Sequence, residues 1–328
     1  MGETDVILRP GTPRWRARYG ALTPTCDDTS PTNQTLDRAL PPSSNGPTPG
    51  EILGNSTPNE GPIISVNTMS FVSGTLTTEQ IAQFNDLGWL ITQTLDRDQT
   101  AALQTWVQEI QDLPDTGPWL HYREQTEHGP KLCRTEYFTP SHEGFRQFLT
   151  QGVMVETASS LLGEQAVLYK EKINYKLVGG AGYSPHQDAP AYRFVDIHLS
   201  CMVAVDDATI ENGCLEVVSG MHKEIVPMDD EGCIAQSVVE AMEWFPVELK
   251  AGQTLWFHSR TPHRSGDNNS NRDRRALYPT YNALSEGDLR EPYYAQKLRE
   301  FQDSKNSGKK VRVSLINDFR GRPVSHDQ

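Results

Sequence analysis

AVLYKEKINYKLV, residues 166–178, is the first of a series of short apolar segments that decides the fold class. Six more follow along the chain: VDIHLSCMVAV (195–205), GCLEVVSG (213–220), KEIVPM (223–228), FPVELK (245–250), QTLWFH (253–258) and RALYPTYNAL (275–284). Turn-forming residues separate these segments, and many short strands at such spacing predict a β-sandwich or a barrel.

Helical patterns come earlier in the chain. A capping sequence at 77–79 precedes QIAQFNDLG, and apolar residues recur at helical spacing through 96–113. A third helix is predicted at 145–162, and a short strand at 88–92. Helices first and strands afterwards predict an α+β fold, here a double-sheet jelly roll buttressed by N-terminal helices.

Composition divides the chain at about residue 68. Residues 1–68 are rich in Pro, Gly, Ser and Thr and lack apolar periodicity, so they cannot offset the entropy cost of ordering. We expect a disordered tail there and one folded domain at 69–328. No apolar run reaches the roughly 20 residues needed to cross a bilayer, and we therefore expect no membrane association.

Charge and cysteine content narrow the function classes. The 328 residues carry a formal net charge of -13, and such an acidic chain is not expected to bind nucleic acid. Its 5 cysteines form no CxxC pair, which disfavours a zinc ribbon or a disulfide scaffold. Reduced thiols are typical of the cytoplasm, where we expect this protein to act on a small molecule as a monomer or homodimer.

The sharpest motif is YSPHQDAPAY, residues 183–192. His186 and Asp188 are separated by one residue, so on an extended strand their side chains point to the same face. An imidazole and a carboxylate that converge in this way supply two ligands of the facial triad that holds non-haem Fe(II). By itself, this H-x-D pattern arises often by chance.

A second motif supplies the missing ligand. His263 follows the predicted strand QTLWFH, and Ser265 and then Arg274 come after it, before the last predicted strand. Because 2-oxoglutarate chelates iron through its keto-acid end, its far carboxylate needs a cationic partner, which a guanidinium provides through two hydrogen bonds. The joint pattern therefore predicts iron at His186, Asp188 and His263 beside a 2-oxoglutarate site at Arg274.

With these motifs the chain resembles the phytanoyl-CoA dioxygenase superfamily of Fe(II)/2-oxoglutarate oxygenases, and within it the 2-aminoethylphosphonate dioxygenase-like branch. The matching stretches are WLHYRE (119–124), LYKEKINYKLVGGAGYSPHQDAPAY (168–192), ATIENGCLEVVSGMHK (208–223), TPHRSGDNNSNRDRRALYPTYNA (261–283) and GDLREPYYAQKLREF (287–301). The resemblance implies a cupin-like double-stranded β-helix in which Ser265 assists Arg274, and in which Asn174 and Lys170 contact 2-oxoglutarate. Arg275 is the alternative to Arg274 if the strand register differs by one residue.

The same resemblance implies the reaction and a substrate pocket. Fe(II), 2-oxoglutarate and O2 would hydroxylate an aliphatic carbon of a small molecule, an aminophosphonate or a natural-product intermediate, and release succinate and CO2. Asp188 favours hydroxylation, because halogenating relatives carry a small residue at this position. The residues predicted to line the substrate pocket are Trp119, His121, Tyr122, Arg134, Gln187 and Tyr192.

Some residues and two other functions stay open as alternatives. His222 and His258 are expected to be structural, whereas His198 could face either the pocket or the core. The chain could instead be a jelly-roll protein that binds metal without catalysis, although Arg274 and Ser265 would then have no use. A zinc hydrolase on a cupin-like barrel would need a general base beside the metal and no 2-oxoglutarate.

Overall fold

Two antiparallel sheets form the strand region of this computed structural model, which describes residues 75–192, 194–195, 197–307, 312–314 and 316–324. The strands are β1 (Trp89–Gln93), β2 (Leu120–Thr126), β3 (Gly129–Glu136), β4 (Ala166–Lys176), β5 (Tyr183–His186), β6 (His198–Ala204), β7 (Leu215–Val217), β8 (Phe245–Val247), β9 (Gln253–His258), β10 (His263–Ser265) and β11 (Arg274–Ala283). One sheet has the order β1-β9-β6-β11-β4-β3-β2 and the other the order β5-β10-β7-β8. This pair of sheets confirms the predicted jelly roll.

The helices that precede β4 cover the seven-stranded sheet on the face that points away from the other sheet. The helices are α1 (Thr78–Leu87), α2 (Arg97–Gln111), α3 (Glu143–Thr150), α4 (Gly152–Leu162), α5 (Gln236–Val239) and α6 (Arg290–Asn306). Apolar side chains of α2 and α3, such as Leu103 and Phe148, join Cys201, Trp256 and Leu277 of the sheet in one hydrophobic core. None of the described helices is long and apolar enough to cross a membrane.

Local sequence explains how the helical region is divided. The Thr77 hydroxyl accepts a hydrogen bond from the backbone N–H of Gln80, whose side chain accepts one from the Thr77 N–H, and this capping box starts α1. The single helix predicted at 145–162 is instead two helices, α3 and α4. Gln151 is extended and Gly152 has a φ of 59°, a left-handed conformation that suits glycine, so the chain turns there.

Alternation along two neighbouring strands builds the inner face of the seven-stranded sheet. On β4, Ile173 and Tyr175 pack in the core beneath the helices, so the residues between them turn inward. The inward residues of β4 are Lys170, Lys172, Asn174 and Lys176. Strand β11 runs antiparallel beside them and pairs Arg274 with Lys176. One wall of the space between the sheets is therefore rich in cationic side chains.

One predicted strand is absent from the structure, and the predicted tail is not tested by it. The predicted strand KEIVPM is not a strand in the structure. The Gln187 side chain takes the place of a neighbouring strand, because it accepts a hydrogen bond from Val226 N over 2.9 Å and donates one to Glu224 O over 3.0 Å. The predicted tail at 1–68 and its boundary with 69–328 lie outside the described residues.

Candidate metal centre and cosubstrate site

The three predicted metal ligands come together at the edge of the four-stranded sheet. His186 ends β5 and pairs with His263 at the start of β10, and their ring centroids lie 4.1 Å apart. Each of His186, Asp188 and His263 offers one ligand atom, and these atoms lie within 4.8 Å of one another. Two imidazoles and one carboxylate at this spacing fit the coordination sphere of a single metal ion such as Fe(II).

Asp188 joins the two histidines from a turn and not from the predicted strand. Strand β5 ends at His186, and Asp188 has helical backbone angles at the start of a short 3-10 turn, Ala189–Ala191. Pro190 favours that turn because its ring fixes φ and it has no N–H to donate to a sheet. The expectation that strand alternation aligns the two side chains is therefore wrong, although they do converge.

Hydrogen bonds prepare both imidazoles for a metal. His186 Nδ1 lies 2.7 Å from Ser184 O, and His263 Nδ1 lies 3.0 Å from Thr261 O. Because a carbonyl oxygen only accepts, each Nδ1 carries a proton, and each Nε2 is the ring nitrogen left to bind a metal. Burial, together with the neighbouring His186, lowers the pKa of His263 to about 4, so that its ring is neutral near pH 7.

The Asp188 carboxylate is ionised and anchored. Burial alone would raise its pKa, but His263 and Lys172 outweigh burial and hold the pKa of Asp188 well below its usual range. The Ser200 hydroxyl on β6 donates to Asp188 Oδ2 over 2.6 Å. With Oδ2 bonded, Oδ1, which lies 4.0 Å from His186 Nε2, is left to bind a metal.

Arg274 is a buried cation, and some of its hydrogen-bond donors have no partner among the described residues. Its Nη2 donates to Gly213 O over 2.6 Å, whereas Nε and Nη1 have no hydrogen-bond partner among the described residues. Unpaired buried donors are costly, so this guanidinium fits a ligand carboxylate that accepts two bonds. Arg275 points outward and forms an ion pair with Asp206 at 2.9 Å. The strand register thus places Arg274 and not Arg275 inside.

Two predicted cosubstrate residues line the same cavity as Arg274, namely Ser265 and Asn174. Lys176 Nζ donates to Ser265 Oγ over 2.9 Å, which leaves the hydroxyl proton of Ser265 for a ligand. Arg134 Nε donates to Asn174 Oδ1 over 3.0 Å, which leaves the amide NH2 of Asn174 for a ligand. Asn174 also lines the cavity above the metal ligands, so it joins the two cavities.

A model of the family described as Phytanoyl-CoA dioxygenase (PhyH) matches residues 87–276, which include every predicted metal and cosubstrate residue. The chain belongs to this family. It is similar to the methylphosphonate hydroxylase of Gimesia maris, with 46% identity over 254 residues that cover 76% of this chain and 98% of the relative. It is also similar to a 2-aminoethylphosphonate dioxygenase from an uncultured bacterium, with 38% identity over 236 residues that cover 69% and 88%.

Solved structures support the fold of this phytanoyl-CoA dioxygenase family member. EctD from S. alaskensis, solved with 2-oxoglutarate and 5-hydroxyectoine, aligns with a TM-score of 0.57 and 18% identity over 69% of this chain and 83% of that chain. The non-heme alpha ketoglutarate dependent epimerase SnoN aligns with a TM-score of 0.54 and 21% identity over 63% and 82%. The predicted family and the predicted double-stranded β-helix are both confirmed.

The residues predicted to line a substrate pocket do not lie together in this family member. Of the described residues that line the cavity above the metal ligands, none is among the six predicted: Trp119, His121, Tyr122, Arg134, Gln187 and Tyr192. Tyr122 and Tyr192 line another cavity, of about 520 Å³, beside α6. Tyr192 does not line the cavity above the metal ligands, but its hydroxyl is hydrogen-bonded to Lys170, which does.

The other four predicted pocket residues are engaged within the protein. His121 bonds to Thr135 Oγ1 and Leu113 O, and Trp119 Nε1 donates to Pro114 O. Arg134 donates to Asn174 as described, and also to Glu136, Tyr183 and the carbonyl of Val313. Gln187 supports the backbone at 224–226. The contact of these four side chains with a substrate stays a prediction.

The remaining histidines lie apart from the metal ligands. His198 is fully buried, neither ring nitrogen has a partner among the described residues, and burial lowers its pKa to about 3. It does not line the cavity above the metal ligands as the structure describes it, so of the two open alternatives the core is favoured. His222 and His258 face each other with ring centroids 5.4 Å apart, outside the metal group.

The residues of the site that escaped prediction include Lys172, Lys176, Ser200 and Asp318. The two lysines had a signal, because strand alternation in KEKINYK places both on the same face as Asn174. Asp318 had none. It enters the cavity from the C-terminal segment, which carries no recognisable motif and follows α6.

Proposed function

We propose that this chain is an Fe(II)/2-oxoglutarate-dependent oxygenase that hydroxylates an aliphatic carbon of a small phosphonate. His186, His263 and Asp188 hold the iron, and Arg274 holds the far carboxylate of 2-oxoglutarate. The observation that carries the proposal is the buried guanidinium of Arg274, which has two donors without partners among the described residues and lines a cavity that adjoins the metal ligands. Neither a metal-storage protein nor a zinc hydrolase needs such a carboxylate site.

The protein residues have distinct tasks in this function. When bound, iron and 2-oxoglutarate supply the oxidation of a C–H bond by O2. Three protein ligands leave the other coordination positions open for the cosubstrate and for O2. Ser265 and Asn174 each have a free hydrogen-bond donor for 2-oxoglutarate, and Lys170 lines the cavity beside them. Apolar side chains, among them Phe257, line the same cavity and limit its water content.

The proposed substrate class rests on the charge of the cavity and on the relatives. Lys172 reaches into the cavity above the metal ligands, and its ammonium group makes no hydrogen bond to any described residue. A cation in such a place favours an anionic head group. Two similar proteins are named for methylphosphonate and 2-aminoethylphosphonate. A small phosphonate therefore fits better than a neutral natural-product intermediate.

Turnover under controlled metal loading tests this function. The full chain is loaded anaerobically with Fe(II), given 2-oxoglutarate and one phosphonate, and exposed to O2, and succinate and hydroxylated product are then quantified. We expect succinate and product in equal amounts with at least one small phosphonate, and none when Zn(II) replaces Fe(II). Activity with Zn(II) and without 2-oxoglutarate would instead establish a hydrolase. Iron binding without succinate formation would indicate a protein without catalysis.

The proposal also covers the cellular compartment and the oligomeric state of the enzyme. The described cysteines, Cys133, Cys201, Cys214 and Cys233, are buried and form no disulfide, which supports a reducing compartment such as the cytoplasm. We propose a monomer or a homodimer as the working form. Light scattering of the purified full chain measures its mass and decides between the two.

A further inference from the structure

Asp318 brings a second carboxylate into the metal cavity. It is only 3% exposed, and its Oδ1 has no hydrogen-bond partner among the described residues. The backbone around it is fixed, because Ser184 N donates to Asp318 O over 2.7 Å and Phe319 forms a bridge with Tyr183. The carboxylate is therefore held beside β5 and aimed into the cavity.

His186 does not satisfy this carboxylate. Asp318 Oδ2 lies 3.2 Å from His186 Nε2, but once Nε2 binds the metal it has no proton to donate to this carboxylate. Asp318 does not belong to the group of three ligand atoms within 4.8 Å. It flanks the metal position, and none of the described residues donates to its Oδ1.

Lys172 presents the complementary charge in the same cavity. Its Nζ lies 5.4 Å from the centroid of the Tyr278 ring and has no hydrogen-bond acceptor among the described residues. The neighbouring cations differ, since Lys170 is bonded to Tyr192 and Arg134 has four acceptors of its own. Burying charges without partners is unfavourable unless a ligand completes them.

Within the oxygenase function proposed above, we propose that Asp318 and Lys172 bind the two ends of a zwitterionic substrate. Asp318 accepts hydrogen bonds from an ammonium group, and Lys172 donates to a phosphonate. The carbon chain between the two groups then passes the metal ligands, because Asp318 flanks His186. Asp318 is thus the residue that selects an aminoalkylphosphonate over a phosphonate with an apolar end.

A pair of nearly isosteric probes tests this role by binding alone. 2-Aminoethylphosphonate and propylphosphonate differ by an ammonium group in place of a methyl group. Their dissociation constants are measured by anaerobic calorimetry on the full chain loaded with Fe(II) and 2-oxoglutarate. We expect the wild type to prefer the aminophosphonate by about 10- to 100-fold, the usual value of a hydrogen bond to a charged group. Asp318→Asn should bring that ratio close to one.

Two variants control the result. Asp230→Asn makes the same chemical change at an exposed position and should keep the wild-type ratio. Lys172→Met should weaken both phosphonates by at least tenfold while leaving the affinity for 2-oxoglutarate within about threefold. Equal loss of 2-oxoglutarate affinity in Lys172→Met would overturn the assignment of Lys172, because the lysine would then serve the cosubstrate.

Other outcomes overturn the role of Asp318 without touching the oxygenase function. A wild type that binds both probes equally, or binds neither, has no ammonium site at Asp318. Loss of iron from Asp318→Asn would make the residue a metal ligand, and equal weakening of both probes would make it structural. The oxygenase function is judged separately, by 2-oxoglutarate binding and by succinate formation in the same wild-type preparation.

Discussion

Replacing Arg274 by alanine should remove most of the affinity for 2-oxoglutarate. The guanidinium is 1% exposed, and its Nε and Nη1 have no hydrogen-bond partner among the described residues. Truncating one partner of a buried, hydrogen-bonded charge pair costs about 2–5 kcal/mol. At about 1.4 kcal/mol per tenfold, the dissociation constant should rise roughly thirtyfold to several thousandfold. Arg274→Lys should recover part of this loss, because a point charge cannot reproduce the planar fork.

Arg275 is the matched control on the same strand. Its side chain points away from the cavity and pairs with Asp206, so Arg275→Ala should leave 2-oxoglutarate affinity within about threefold and cost about 1 kcal/mol or less of stability. Anaerobic titration of 2-oxoglutarate into the iron-loaded variants measures both effects, and thermal unfolding shows whether each variant is folded. A large loss in Arg275→Ala with normal binding in Arg274→Ala would refute the register. Normal binding in both would refute the cosubstrate site.

Three more predictions concern the metal ligands and the buried histidines. His186→Ala, Asp188→Ala and His263→Ala should each abolish Fe(II) binding measured by metal analysis, whereas His258→Gln should retain it; the reverse result would reassign the third ligand. Ser200→Ala should weaken Fe(II) binding by about 10- to 100-fold, since partners that orient a metal ligand typically have this effect, and unchanged affinity would show that the hydrogen bond to Asp188 is dispensable. Burial lowers the pKa of His198 to about 3 against about 6.5 when unfolded, so the metal-free protein should lose stability as pH falls below 6.5, by about 2 kcal/mol from this residue at pH 5. Urea unfolding at pH 7 and pH 5 should show a smaller loss in His198→Gln, and the same loss as wild type in the exposed His128→Gln; equal losses in all three would contradict the assignment.

Strand periodicity made the fold predictable. Segments such as QTLWFH became β9 with the predicted bounds, since alternation and flanking turn residues are local properties of the chain. KEIVPM was also predicted as a strand, but its backbone bonds to the Gln187 side chain, a contact that depends on the tertiary fold. The break between α3 and α4 was missed for a local reason, because a glycine in a helical pattern does not reveal a positive φ.

The site was predictable where residue type and spacing carry the chemistry. His186, Asp188 and His263 are rare enough in combination to be found from sequence. Alternation allows only one of Arg274 and Arg275 to face inward, and the family resemblance selected Arg274. Asp318 was not predictable in this way. Its place depends on how the segment after α6 packs against β5, and no spacing in the sequence encodes that contact.

The two sheets divide the chemistry of the site between them. His186 and His263 belong to the four-stranded sheet, whereas Arg274 and Lys172, the cations proposed to bind anions, belong to the seven-stranded sheet. A metal centre on one wall acts on a substrate held by the other only if the distance between the walls is fixed. The hydrogen bond from Ser200 of β6 to Asp188 is a direct link between the metal ligands and the seven-stranded sheet. Substrate preference can therefore change through β4 while the metal centre keeps its geometry.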